Sequence, residues 1–211
     1  AENARCLLDG VETDLCLLTG DYRYGHFGPS DRAADDVCRV LSGVRSAAGV
    51  HAVLGNHDTL IIGEMLEARG IRVLMNEGTM AAPRGEPLWL AGVDDPHLHR
   101  AADLAAALEG RPPGLFTILL AHSPECVAEA ARAGVDLYLC GHTHGGQIRL
   151  PFLGSVHINV REGRRKALGI WREGDMRGHT SPGLGTTDMP VRFLCPPEAT
   201  LLTLRAAPAA G

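Results

Sequence analysis

Short apolar runs alternate along the chain with stretches whose apolar residues recur at helical spacing, an order that predicts an α/β domain with a layered sheet. A strand is expected over 14–18, ending in Thr19-Gly20-Asp21, with a helix in the residues before it. Ser30 and Asp31 cap a helix reaching about Ala47, with Ala33, Val37, Val40, Leu41 and Val44 along one face. A strand over 51–54 ends in Gly55-Asn56-His57-Asp58, and a helix over 60–69 closed by Gly70 leads to a strand over 71–74. Residues 79–92, turning at Arg84-Gly85-Glu86, read as a hairpin. A helix over 101–108 precedes a strand over 116–121 that ends in His122. Ser123-Pro124-Glu125 then opens a helix to Ala133 with Pro at its first position. The strand over 135–140 ends in Gly141-His142-Thr143-His144. Beyond Gly145, Gly and Pro interrupt the pattern: 161–185 reads as a long loop, and a last strand is expected near 200–204.

Composition narrows the class. A length of 211 residues without internal repeat or linker suits one domain over 1–211. Aromatic residues make up only 4%, so the core must be built from Leu, Val, Ile and Ala. Twenty basic against 25 acidic residues leave a net charge of −5, which excludes nucleic-acid binding by charge alone. The longest apolar runs, such as 115–121, fall far short of the roughly 18 residues that cross a bilayer. Six Cys without a C-x-x-C pair read as reduced, buried thiols.

The chemistry lies at the strand ends. Asp21, Asn56 with His57, His122, and His142 with His144 follow four separate strands, and in α/β sheets ligands gather at the carboxyl ends of strands. Each piece alone is a common turn, but their order makes convergence the better reading. A carboxylate such as Asp21 can bridge two divalent ions about 3.5 to 4 Å apart. Neutral imidazoles suit Zn, Mn or Fe, and the Asn56 amide adds a ligand without adding charge. His57 is then left to protonate a leaving-group oxygen, with Asp58 orienting it.

The set Gly20-Asp21, Gly55-Asn56-His57-Asp58, His122 and Gly141-His142-Thr143-His144 resembles the calcineurin-like metallophosphoesterase superfamily. Gly92-Val93-Asp94-Asp95, His122-Ser123-Pro124-Glu125 and Cys195-Pro196-Pro197-Glu198 are similar to its bacterial YkuE/YaeI-type branch. The resemblance implies a two-sheet αββα sandwich. It also implies hydrolysis of a phosphodiester, phosphomonoester or pyrophosphate by a hydroxide that divalent metal activates. Carried over, it makes Asp21 the bridging ligand, Asn56, His122 and His142 the other ligands of one ion, His144 a ligand of a second, and His57 the general acid. The family's first motif, an Asp-x-His ending the first strand, has no match before Asp21. Two readings follow: a fragment starting after that strand, or a variant keeping one metal site. The fragment is favoured, because the chain opens mid-pattern at Ala1 without Met.

Weaker signals surround this set. Arg23 is placed to contact a phosphate, and Asp95 and His97 sit in a polar loop that either overhangs the substrate or is a solvated turn. Arg161, Arg164, Arg165 and Lys166 read as a solvated basic turn, with an anionic substrate or lipid headgroups as the alternative. His26, His51, His157 and His179 carry no assigned role. The expected partner is a small or lipid-linked phosphoester, met in the cytoplasm or at a membrane surface, or outside the cell if a signal lies upstream of Ala1. The alternatives to a general phosphoesterase are a non-catalytic scaffold or one-metal binding protein on the same fold, and a pyrophosphatase of nucleotide-linked lipid precursors.

Overall fold

Alternation of side chains along short strands decides the layering. The computed structural model describes residues 2–25, 29–160, 164–187 and 189–206; His26 and Arg161 lie outside the described residues. Helix α1 (Glu2–Leu8) precedes strand β1 (Cys16–Leu18), which pairs in parallel with β2 (Val50–Ala52), itself parallel to β3 (Ile71–Val73). Helix α2 (Ser30–Leu41) joins β1 to β2, and α3 (Leu60–Glu67) joins β2 to β3. The second sheet holds β4 (Glu77–Ala81), β5 (Leu88–Gly92), β6 (Thr117–Leu120), β7 (Leu137–Cys140), β8 (Gly169–Glu173) and β9 (Met176–Thr180). Its order is β8-β9-β7-β6-β5-β4, parallel through the middle and antiparallel at both edges.

In β6 and β7 every residue is buried, as expected for strands covered on both faces. Ile118, Leu120, Leu137 and Leu139 meet Val53 and Leu74 of the small sheet in one cluster. Leu119, Tyr138 and Cys140 point the other way, onto α4 (Leu104–Ala107) and α5 (Val127–Arg132). On the outer face of the small sheet, Ala52 and Leu54 pack beneath Ala34 of α2 and Ile62 and Leu66 of α3. The layers therefore run helix, sheet, sheet, helix, which is the αββα sandwich the resemblance implies.

Several expectations change. The helix from Ser30 stops at Leu41 rather than near Ala47, because Arg45–Ser46 pair in parallel with Glu12–Thr13. The helix expected over 101–108 shrinks to α4, whose start is fixed by the Asp103 side chain accepting the Ala106 N–H at 3.0 Å. The middle of 161–185 is not a loop, since β8 and β9 form a hairpin across Gly174-Asp175 and β9 joins the large sheet against β7. No strand forms near 200–204 among the described residues; instead Leu202 packs against the cluster between the sheets. The thiols are free, and burial pushes those of Cys126 and Cys140 up to about 12, but Cys6 is exposed rather than buried.

Candidate metal centre

The two sheets bring their carboxyl ends to one edge of the sandwich. Gly20 adopts φ 93°, and a side chain on it would lie 2.6 Å from the Gly55 nitrogen, so the turns after β1 and β2 touch backbone to backbone. A Cβ on Gly55 would collide with Asp21 Oδ1. Asp21, His142 and His144 hold left-handed backbone conformations with φ 61°, 67° and 49°, a strain that typically concentrates at functional sites.

His122 is the hub of the cluster. Its Nε2 lies 3.0 Å from Asn56 Oδ1, 3.1 Å from His142 Nδ1 and 3.2 Å from Asp21 Oδ2. Its other nitrogen, Nδ1, donates to the Thr19 carbonyl at 2.7 Å, which orients the ring so that Nε2 faces the cluster. Asp21, His122 and His142 each offer a ligand atom, and these atoms lie within 4.8 Å of one another. The donor set of one carboxylate, one amide oxygen and two imidazoles fits a borderline divalent ion. His142 Nε2 and His144 Nδ1 are buried with no hydrogen-bond partner among the described residues.

Electrostatics describe an ion pair at the hub: burial would lower the His122 imidazole, but the charge and hydrogen bond of Asp21 raise it above its ordinary value. Burial alone would raise the Asp21 carboxyl, but the charge and hydrogen bond of His122 and the His57 amide hold it well below the usual carboxylate range. Burial, reinforced by His122 and His97, lowers the His142 imidazole to about 4, so this ring is neutral at pH 7, the state that ligates metal. Burial and then the charge of Arg192 lower His144 as well.

The other expected site residues divide. The His57 N–H donates to Asp21 Oδ1 at 3.0 Å, and its ring lines the cleft beside the cluster. Arg23 stands next to it, with Nη1 3.4 Å from the His57 carbonyl. Asp58 differs from its expected role of orienting His57. Its carboxylate accepts four main-chain N–H groups, those of Asp21 (2.7 Å), Gly55 (2.8 Å), Tyr22 (2.9 Å) and Arg23 (3.3 Å). Burial raises that carboxyl to about 6. Asp95 also departs from expectation. It is fully buried, and its oxygens accept the N–H groups of His97, Leu98 and His99, so it shapes the loop and offers no surface to a substrate. His97 does reach the site, its ring centroid 4.2 Å from that of His142.

Two residues at the centre escaped the sequence reading. Glu125 meets His97 Nδ1 at 2.6 Å, yet in the sequence it reads as the first turn of a helix and the end of the His122-Ser123-Pro124-Glu125 phrase, with no role of its own. Arg192 ties the C-terminal stretch to the site, donating to the carbonyls of Pro182 (2.7 Å), Gly183 (3.2 Å), Cys195 (3.3 Å) and His144 (3.4 Å). No local pattern marks it.

Comparison with known proteins meets the geometry at this point. The phosphodiesterase YaeI of Escherichia coli (strain K12) is 34% identical over 204 residues, covering 92% of this chain and 72% of its own. The metallophosphoesterase YkuE of Bacillus subtilis (strain 168) is 32% identical over 203 residues, covering 91% and 68%. A transmembrane protein with a metallophosphoesterase domain from Bos taurus is 34% identical over 222 residues, covering 96% of this chain and 48% of its own. The sequence model of the calcineurin-like phosphoesterases matches residues 2–146, a span that takes in Asp21, Asn56, His122, His142 and His144. Cluster, sandwich and alignment agree that the chain belongs to the calcineurin-like phosphoesterase family, whose members bind divalent metal.

Proposed function

We propose that this chain hydrolyses a phosphodiester or pyrophosphate bond, or the bond of a phosphomonoester, at the cluster around His122. The observation that carries the reading is the approach of Asp21, Asn56 and His142 donor atoms to His122 Nε2 at 3.0 to 3.2 Å. These four residues would hold one divalent ion, Mn, Zn or Fe, and Asp21 with His144 would contribute to a second. A bound ion supplies Lewis-acid chemistry there, polarising a phosphoryl oxygen and acidifying water. The chain's own residues do the rest. Water adds to phosphorus as the ester P–O bond breaks, the proton it sheds passes to solvent, and the leaving oxygen takes a proton from His57, which solvent restores. The His57 main chain is anchored on Asp21, which holds that residue beside the cluster. Arg23 binds a non-bridging phosphoryl oxygen from beside His57, and His97, steadied by Glu125, positions the phosphoryl group from the His142 side.

A second reading, a metal-binding protein without turnover, has one observation in its favour. Among the described residues, Asp21, His122 and His142 form the one group of three or more His, Cys, Asp or Glu ligands close enough to share an ion, and His144 stands outside it. Metal stoichiometry measured together with hydrolysis of bis(p-nitrophenyl) phosphate separates the two. Metal-dependent turnover supports the phosphoesterase reading, whereas a loaded site without turnover on aryl diesters, monoesters or nucleotide pyrophosphates supports the second.

A further inference from the structure

We propose that the turn at 150–153 and the adjoining 189–194 segment form a docking surface for an anionic lipid bilayer. Most apolar side chains of this chain are used in the three buried clusters, but here they point outward. Phe152 is fully exposed and Leu153 is 81% exposed, at the tip of the hairpin formed by Arg149–Leu150 and Gly154–Ser155. Val156, Val191, Phe193 and Leu194 are exposed behind them. Backbone contacts join the two stretches into one patch: the Phe193 carbonyl accepts the Arg149 N–H at 3.0 Å, and the Phe193 N–H donates to the Gln147 carbonyl at 2.8 Å. Buried Gln147 locks the arrangement, since its side chain donates to Thr187 Oγ1 at 3.0 Å and to the Met189 carbonyl at 3.1 Å. The patch is thus held in place, and Gln147 lies three residues beyond His144.

Charge selects the partner. The whole chain carries −5, yet the described charged side chains between 149 and 166 are Arg149, Arg165 and Lys166, the last paired with Glu173 at 2.7 Å. Arg149 and Arg165 line a hollow of about 340 Å³ together with Leu153, which sets cations directly beside the apolar tip. An apolar wedge with a basic rim matches the acyl boundary and headgroups of an anionic leaflet. A second copy of this chain would bring the same basic rim against itself.

Co-sedimentation of the full chain with vesicles of phosphatidylcholine plus phosphatidylglycerol, and with phosphatidylcholine alone, tests the proposal whether or not the centre turns over. Expected is binding to the anionic vesicles that weakens with salt. Phe152→Ser with Leu153→Ser should reduce it at least about tenfold. Arg165→Glu should reduce binding to the anionic vesicles only. The double variant should still take up divalent metal, which shows that it folds. As an independent signal, Phe152→Trp should shift its emission to the blue on adding anionic vesicles. The proposal is overturned if the unaltered chain stays in the supernatant with both compositions, or if the double variant binds as well as it does. It is equally overturned if the chain is a dimer in solution that the double variant dissolves, since the patch is then a contact between copies.

Discussion

The Asp58 carboxylate accepts the main-chain N–H of Asp21 at 2.7 Å and that of Gly55 at 2.8 Å, so one acid pins together the turns that carry two ligands. Asp58→Ala leaves four N–H groups without their acceptor and should destabilise the fold by about 3 kcal/mol. Asp58→Asn should recover only part of this, because its NH2 group would face donors. Denaturant midpoints of the three proteins check the order, and equal midpoints for Ala and Asp would remove Asp58 from this role.

Replacing His57 separates proton delivery from metal binding. His57→Ala should lower kcat by about a hundredfold or more while leaving metal content near that of the unaltered protein. Parallel metal analysis and turnover on an aryl phosphodiester read both quantities. Loss of both in the same proportion would make His57 part of the metal-holding set.

The pair of His97 and Glu125 offers a finer test. Both side chains are nearly buried, and the ring they fix lies against His142. Glu125→Ala should raise KM by about tenfold with a smaller fall in kcat, and Glu125→Gln, which keeps an acceptor oxygen, should be milder. A fall in kcat alone would place the pair in the chemical step instead.

Acid should loosen the sandwich through histidines outside the cluster. Burial lowers the imidazoles of His51 and His179 from their ordinary value of 6.5. A lowered imidazole means that the unfolded chain binds the proton more readily, so the stability these groups contribute is full above about 6.5 and is lost as pH falls through their folded values. Unfolding curves of the metal-free protein between neutral and mildly acidic pH should show this fall. His51→Gln should flatten it, and an unchanged slope would exclude His51 as a contributor.

Much of the site was legible because it lies where periodicity ends. Apolar runs that break at Asp21, Asn56, His122 and His142 mark strand ends, and strand ends meet. Residues whose partners lie far off in the chain were not legible. Asp58 reads in the sequence as the residue that orients His57, but its oxygens serve the N–H groups of Asp21, Tyr22 and Arg23, 35 to 37 residues away. Glu125 gains its meaning from His97, 28 residues away, and Arg192 from carbonyls at 144 and 182–185. The hairpin of β8 and β9 was hidden by the Gly- and Arg-rich stretch before it, although Gly174-Asp175 is a good two-residue turn.

Left-handed backbone at Asp21, His142 and His144 has a consequence for the whole molecule. Conformations of this kind cost about 1 to 3 kcal/mol each and persist only where their surroundings enforce them. A divalent ion would therefore meet ligand residues whose backbone the folded sandwich already constrains. Affinity for metal is in that sense a long-range property of the core. Shaving a buried side chain such as Leu119, which faces the helical layer and is no ligand, should weaken metal binding before it unfolds the chain, as metal titration beside unfolding curves would show.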